Sequence, residues 1–286
     1  MQRTFQTGAW ILSLVLLASC GTVPKTSVVT SPDGQPRSSV DDSLFARVLE
    51  RSIAPTGAVS YKALESDTEL TEYLAQIALV QTDAFNSRSD LLAFWINTHN
   101  AYVLDLIRSN PAHSIDDIPG FRYAKVVIVG PDRYSLDDIE HTMLEQKFRE
   151  PRAFFALFDG SRSSPALRAE PYSGEHLSDQ LDDQLHHFLA DSSENYLDRR
   201  ANTLYLSKIF QDDRGTLEEM TGEPLPTLVR DFAPQPISAW ISGHPALQIS
   251  YLGYDYTINS SDVWPPYAPA TERKSTPPRR VSGGIR

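Results

Sequence analysis

Three short segments of this 286-residue chain concentrate side chains able to do chemistry. The first is Phe94-Trp95-Ile96-Asn97-Thr98-His99-Asn100-Ala101-Tyr102, where polar groups sit inside an apolar run. Asn97 and Asn100 are three residues apart and share a face if the segment is helical. Asn is a mediocre helix former, so a mid-helix pair needs a reason. Their amides, with His99 beside them, could bind and orient a ligand. Equally, each amide could tie down a neighbouring loop's backbone, because buried amides require partners. The second segment is Ser135-Leu136-Asp137-Asp138-Ile139-Glu140-His141. Carboxylates close to an imidazole raise its pKa and fix its tautomer, the setting of an acid–base histidine. The third is Phe154-Phe155-Ala156-Leu157-Phe158-Asp159-Gly160-Ser161-Arg162-Ser163-Ser164-Pro165, an apolar run passing into a small polar loop of the kind where binding groups often sit. Asp159 could be a general base, with His141 or His99 as partner and Asn97 or Asn100 as polarising donor. It could also be an Asx turn leaving a strand. Gly160-Ser161-Arg162-Ser163 is not the G-x-S-x-G elbow of serine hydrolases, since Ser164 stands where the second Gly is needed.

The expected catalytic pair is therefore Asp159 with His141, and the expected ligand-binding residues are Asn97, His99, Asn100 and Ser161. No metal or cofactor is expected. There is no H-x-x-x-H or H-E-x-x-H pairing here, and the adjacent His186-His187 would point about 100° apart on a helix.

The elements that must position these groups are legible as patterns. Apolar residues at helical spacing predict helices over Asp42–Ile53, Asp67–Val80, about 90–108 (capped by Ser89 or Asp90), 136–148 and Leu177–Leu189. Ser135 with Asp138 resembles a capping box opening the 136–148 helix. Lys125–Val129, Ala153–Phe158, Thr203–Leu206, Leu247–Leu252 and Tyr254–Ile258 read as strands. Helices outnumber strands, which predicts one α+β domain with helices packed on a small mixed or antiparallel sheet.

Composition narrows the function classes. The net charge is −11, and Lys25, Arg37 and the Pro/Arg-rich end lie outside the acidic body. Such a body repels phosphate backbones, so nucleic acid is excluded as a partner. A single cysteine excludes an intrachain disulfide, a Cys-rich zinc site and an iron–sulfur cluster. That cysteine follows Arg3, an apolar stretch from Ala9 to Ala18, and Leu17-Ala18-Ser19-Cys20, which resembles a bacterial lipobox. Residues 1–19 thus read as a lipoprotein signal peptide, Cys20 as the lipidated residue and 20–40 as a flexible tether. The folded domain is 41–262, followed by a disordered Pro/Arg-rich tail over 263–286. Gly21, rather than Asp, favours the outer membrane with the domain facing the periplasm. The membrane is then a partner through the N-terminal lipid.

In this order the segments resemble the DUF547 family, a bacterial and plant group named for its unknown function. The resemblance runs from Gly57-Ala58-Val59-Ser60-Tyr61 through the Asn97/Asn100 and Ile139-Glu140-His141 segments to Tyr254-Asp255-Tyr256-Thr257-Ile258-Asn259. Family members commonly show H-F-A-L-x-C-x-S-x-x-C-P, which implies thiol chemistry for those that carry it. Here Phe154 replaces the histidine, Asp159 the first cysteine and Ser164 the second, while Ser161 and Pro165 remain. The resemblance thus implies a non-catalytic envelope lipoprotein that binds a peptide, glycan or protein partner in a degenerate cleft. The alternative is a hydrolase or acyl-transfer enzyme with an altered Asp/His mechanism.

Overall fold

Helix α4 runs through the larger of two apolar cores. In the computed structural model, which describes residue 25 and residues 39–262, earlier elements are α1 (Asp42–Ser52), α2 (Tyr61–Leu64) and α3 (Thr68–Ile77), and α4 spans Arg88–Ser109. The leader, the Cys20 site and the 263–286 tail lie outside the described residues, as does the tether apart from residues 25, 39 and 40. Every residue of α4 from Leu92 to Arg108 is buried, as expected of a helix that is packed all round. Its N-cap is Ser87, earlier than Ser89 or Asp90: the Ser87 hydroxyl accepts from the Asp90 amide at 3.0 Å and donates to the Asp90 carboxylate at 2.6 Å. Arg108 ends the buried face by donating to the Leu64 and Asp67 carbonyls at 2.9 and 3.0 Å, which fastens α4 to the α2–α3 turn.

The described residues form two apolar cores, and α4 lies in the first. The first takes α1–α3, where Phe45 stacks on Tyr73 with ring centroids 5.0 Å apart, together with a hairpin and the 138–148 helix. In the hairpin, β1 (Val127–Val129) pairs antiparallel with β2 (Asp132–Tyr134). Gly130 turns it at φ +56, and a Cβ there would sit 2.5 Å from the Val80 carbonyl oxygen. The second core gathers a three-stranded mixed sheet, β3 (Tyr196–Asp198), β4 (Thr203–Leu206) and β5 (Gln248–Tyr251). β3 runs antiparallel and β5 parallel to β4, with Leu204 opposite Ile249. Helix α5 (Leu177–Ala190) serves both cores: Leu177 and Leu181 face the first, Leu185 and Phe188 the second. Four helices make the β4-to-β5 crossover: α6 (Ile209–Asp212), α7 (Arg214–Thr221), α8 (Leu225–Phe232) and α9 (Gln235–Gly243). The fold is α+β, as the patterning predicts, with helices packed on small sheets.

Two predicted strands are absent. Ala153–Phe158 is buried, but Pro151–Ala156 forms a 3₁₀ helix opened by Pro151 and capped by the Glu150 carboxylate. It threads between the cores, with Phe154 and Phe155 in the second and Ala153 and Ala156 in the first. Burial on all sides removes the period that separates a strand from a helix. Tyr254–Ile258 makes only isolated bridges, Thr257 to Ser114 and Ile258 to Ser161. These belong to a terminal strap that continues with Ser260 against Val59 and ends with Asp262 accepting from the Lys62 amide at 2.9 Å.

Candidate functional site

A cleft of about 290 Å³ opens where the two cores meet, and residues from six separate segments line it. α4 contributes His99, the turn before β1 contributes Arg122 and Tyr123, and the 157–165 loop contributes Asp159. The start of the 138–148 helix supplies Glu140 and His141, the end of α6 supplies Asp212 and Asp213, and the strap supplies Tyr254 and Tyr256. Asp138–Phe148 is a π-helix, a wide coil that recurs at functional sites. The predicted capping box is formed at its mouth: the Asp138 amide donates to the Ser135 hydroxyl at 2.9 Å, and the Ser135 amide to the Asp138 carboxylate at 2.7 Å.

His99 is 3% exposed, and its protonation can be derived. Asn100 donates from Nδ2 to the Ala156 carbonyl at 3.0 Å and accepts at Oδ1 from the Phe158 amide at 3.0 Å. Those two backbone groups fix which end of the amide is oxygen. His99 Nδ1 lies 3.2 Å from that oxygen, so Nδ1 carries the proton and donates. Burial pushes the His99 pKa down to about 4, so the ring is neutral at pH 7. Nε2 is then a bare acceptor, with no hydrogen-bond partner among the described residues.

Asp159 is occupied rather than free. Its carboxylate accepts from the Arg122 guanidinium at 2.8 Å, the Tyr254 hydroxyl at 2.8 Å, the Ser161 amide at 2.9 Å and the Ser161 hydroxyl at 2.6 Å. The loop can fold this way because Gly160 adopts φ +87; a Cβ there would lie 2.1 Å from Ile107 Cδ1. Ser164 accepts from the Asp159 amide at 2.8 Å and donates to the Pro165 carbonyl at 3.0 Å. Burial and then the Asp159 charge raise the Tyr254 pKa, so that hydroxyl stays protonated and donating.

The acidic wall behaves differently. Burial, reinforced by Glu140, raises the Asp213 pKa to about 7, and no hydrogen bond or ion pair holds its carboxylate among the described residues. Glu140 is also raised by burial, against the opposing pull of Arg122 at 3.8 Å. His141 loses charge affinity through burial, but Glu140 and Asp137 more than restore it, so its pKa lies above the ordinary value. Its Nδ1 is 3.3 Å from the Asp137 carboxylate. No hydrogen bond joins Asp159 to His141 or to His99.

The structure thus brings His99, His141 and Asp159 to one cleft and leaves Asn97, Asn100 and Ser161 outside its lining. Asn97 is a backbone clamp: it donates to the Tyr172 carbonyl at 2.8 Å and accepts from the Tyr172 amide at 2.9 Å. Asn100 clamps Ala156 and Phe158, and Ser161 is fully buried beneath Asp159. Phe154 lines the cleft where the family resemblance sets a histidine. Arg122 and Asp213 carry no local signal, since they reach the cleft from segments far apart in the chain. Tyr254 and Tyr256 lie in a segment legible only through the resemblance. Among the described residues no group of three or more His, Asp or Glu side chains is placed to hold a metal ion.

No curated protein and no solved structure matches the chain. Residues 83–189, from just before α4 to the last turn of α5, match the family model described as "Protein of unknown function, DUF547". The matched stretch includes the Asn97/Asn100 helix, the His141 segment and the Asp159 loop, and over these residues the chain is similar to that family.

Proposed function

We propose that this chain is an envelope lipoprotein, held by a lipid on Cys20 at the outer membrane and facing the periplasm. Its 41–262 domain binds a peptide, glycan or protein partner in the cleft and catalyses no reaction on it. The observation that carries the reading is the state of Asp159. A carboxylate that already accepts from four donors is part of the wall, tying Arg122, Tyr254 and the Ser161 turn together. None of the loop's serines lines the cleft: the Ser161, Ser163 and Ser164 hydroxyls donate to Asp159, Glu194 and the Pro165 carbonyl. The only thiol in the chain, Cys20, is taken by the anchor in this reading.

A second reading has one observation in its favour. His99 presents a neutral Nε2 in the same cleft as the proton-holding Asp213, which is the pairing a water-activating hydrolase would need. One experiment separates the two. The full chain in detergent is screened with chromogenic esters, amides and glycosides, and in parallel by thermal shift against short peptides and glycan fragments. The expected result is a ligand-dependent rise in Tm without turnover. Turnover that disappears in His99→Gln would overturn the binding reading. The anchor is tested separately: a clickable fatty acid should label the wild type and not Cys20→Ala, and equal labelling would refute it.

A further inference from the structure

The cleft's charges do not balance. Asp137, Glu140, Asp159, Asp212 and Asp213 converge on it, against Arg122 and His141. Three of the acids are engaged: Asp159 with Arg122 and its other donors, Asp212 with Lys208, and Asp137 with His141 Nδ1 at 3.3 Å. Arg122 is itself shared between Asp159 and Glu140, and His141 is paired with Asp137, so among the described residues each basic group of the lining already has an acidic partner. What remains open is a set of acceptors: the Glu140 and Asp213 carboxylates and, independently of either acid, the His99 Nε2. His99 is 3% exposed, lines the cleft and has its Nδ1 proton committed to Asn100, and among the described residues nothing donates to the lone pair of Nε2. That acceptor meets the cleft rather than the packed interior, and a ligand donor can take the place of the solvent it would otherwise bond.

The rest of the lining suits a cation. Tyr254 and Tyr256 stand together with ring centroids 4.7 Å apart, and Tyr123, 71% exposed, lies at the same cleft. Aromatic faces beside carboxylates attract ammonium groups through the ring quadrupole. A primary ammonium has three N–H donors, the number of open acceptors here.

We propose that the cleft receives a primary alkylammonium group, which donates to Glu140, Asp213 and His99 Nε2 beside the tyrosine rings. The inference rests on the binding reading above and supplies its ligand chemistry. The same group is offered by a free diamine and by a lysine side chain, and the test separates them. Full-length protein in detergent is titrated calorimetrically at pH 8 and low salt with pentane-1,5-diamine and with Nα-acetyl-lysine methylamide. Nα-acetyl-norleucine methylamide is the neutral control.

At least one amine should bind, and the norleucine compound should not. Whichever amine binds more tightly identifies the source. Asp213→Asn and Glu140→Gln should each weaken that binding about tenfold, with Tm within a few degrees of the wild type. His99→Gln keeps an acceptor and should lose no more than threefold, whereas His99→Phe should lose tenfold or more. Equal binding of the neutral control, or full affinity in both acid variants, overturns the proposal. If no amine binds while a neutral glycan or peptide fragment still raises Tm, the ammonium assignment falls and the binding reading stands. If His99-dependent turnover appears instead, the binding reading falls.

Discussion

Polar side chains meet apolar surroundings in two places in this molecule, and they do so to opposite effect. Along α4, Asn97 and Asn100 are buried and fully used, each closing a pair of hydrogen bonds with the backbone of a distant loop. Where Asn100 hands its oxygen to His99, the bonding stops: among the described residues neither His99 Nε2 nor the Asp213 carboxylate, both at the cleft, has a hydrogen-bond partner. The amide wall resembles a side-chain extension of secondary structure, and the cleft resembles an interface with half of it missing. Burial alone does not separate the two. The count of satisfied donors and acceptors does.

If that contrast is right, disturbing the wall should cost folding and disturbing the cleft should not. Asn100→Ala strips the partners from two buried backbone groups and from His99, so a loss of about 4 kcal/mol is expected in denaturant unfolding. A loss below about 1 kcal/mol would show that the wall is not what holds the 156–158 segment. Gly160→Ala drives a Cβ against Ile107 and strains a left-handed backbone. About 3 kcal/mol is expected, read in the same assay.

The cleft should respond with the opposite sign. The Asp213 carboxyl faces Glu140, His141, Asp212 and Glu145, and its raised pKa means that the folded state holds a proton the unfolded state releases. That penalty is fully present above about pH 7, shrinks as the pH falls from 7 towards 4, and vanishes below the ordinary carboxylate value. Asp213→Asn should therefore stabilise the protein at pH 8, on the order of 1 kcal/mol, and leave it unchanged near pH 4. Thermal melts at the two pH values decide it, and equal gains at both would remove the electrostatic cause. The smallest signal is spectroscopic. Nitrogen-15 shifts should report His99 as the neutral Nδ1–H tautomer from pH 5 to 8, while His141 titrates above its usual range.

Much of the first core was legible because its helices obey local rules. α1, α3 and α5 carry their apolar stripes at helical spacing, and the Ser135–Asp138 box appears where the chain spells it. The 153–158 run misled because a segment buried on every side has no period to read. α8 went unread although Leu225, Leu228, Val229 and Phe232 follow Pro224 at helical spacing, a signal that was present. The site divides in the same way. The alternative that Asn97 and Asn100 bind backbone rather than ligand could be framed from spacing and helix propensity. Arg122, Asp213 and the tautomer of His99 could not, because each depends on groups that only the folded chain brings together.

The terminal strap sets the order in which this body can be completed. Val59 bonds the Asn259 carbonyl at 3.1 Å, and the start of α2 rests on Asp262, some two hundred residues later. Tyr254, a donor to Asp159, arrives on the same stretch. Closing so long a loop costs chain entropy that local helices cannot repay by themselves. A chain emerging from its N-terminus must therefore stay unsealed, with its Asp159 loop one donor short, until residues 254–262 have been delivered.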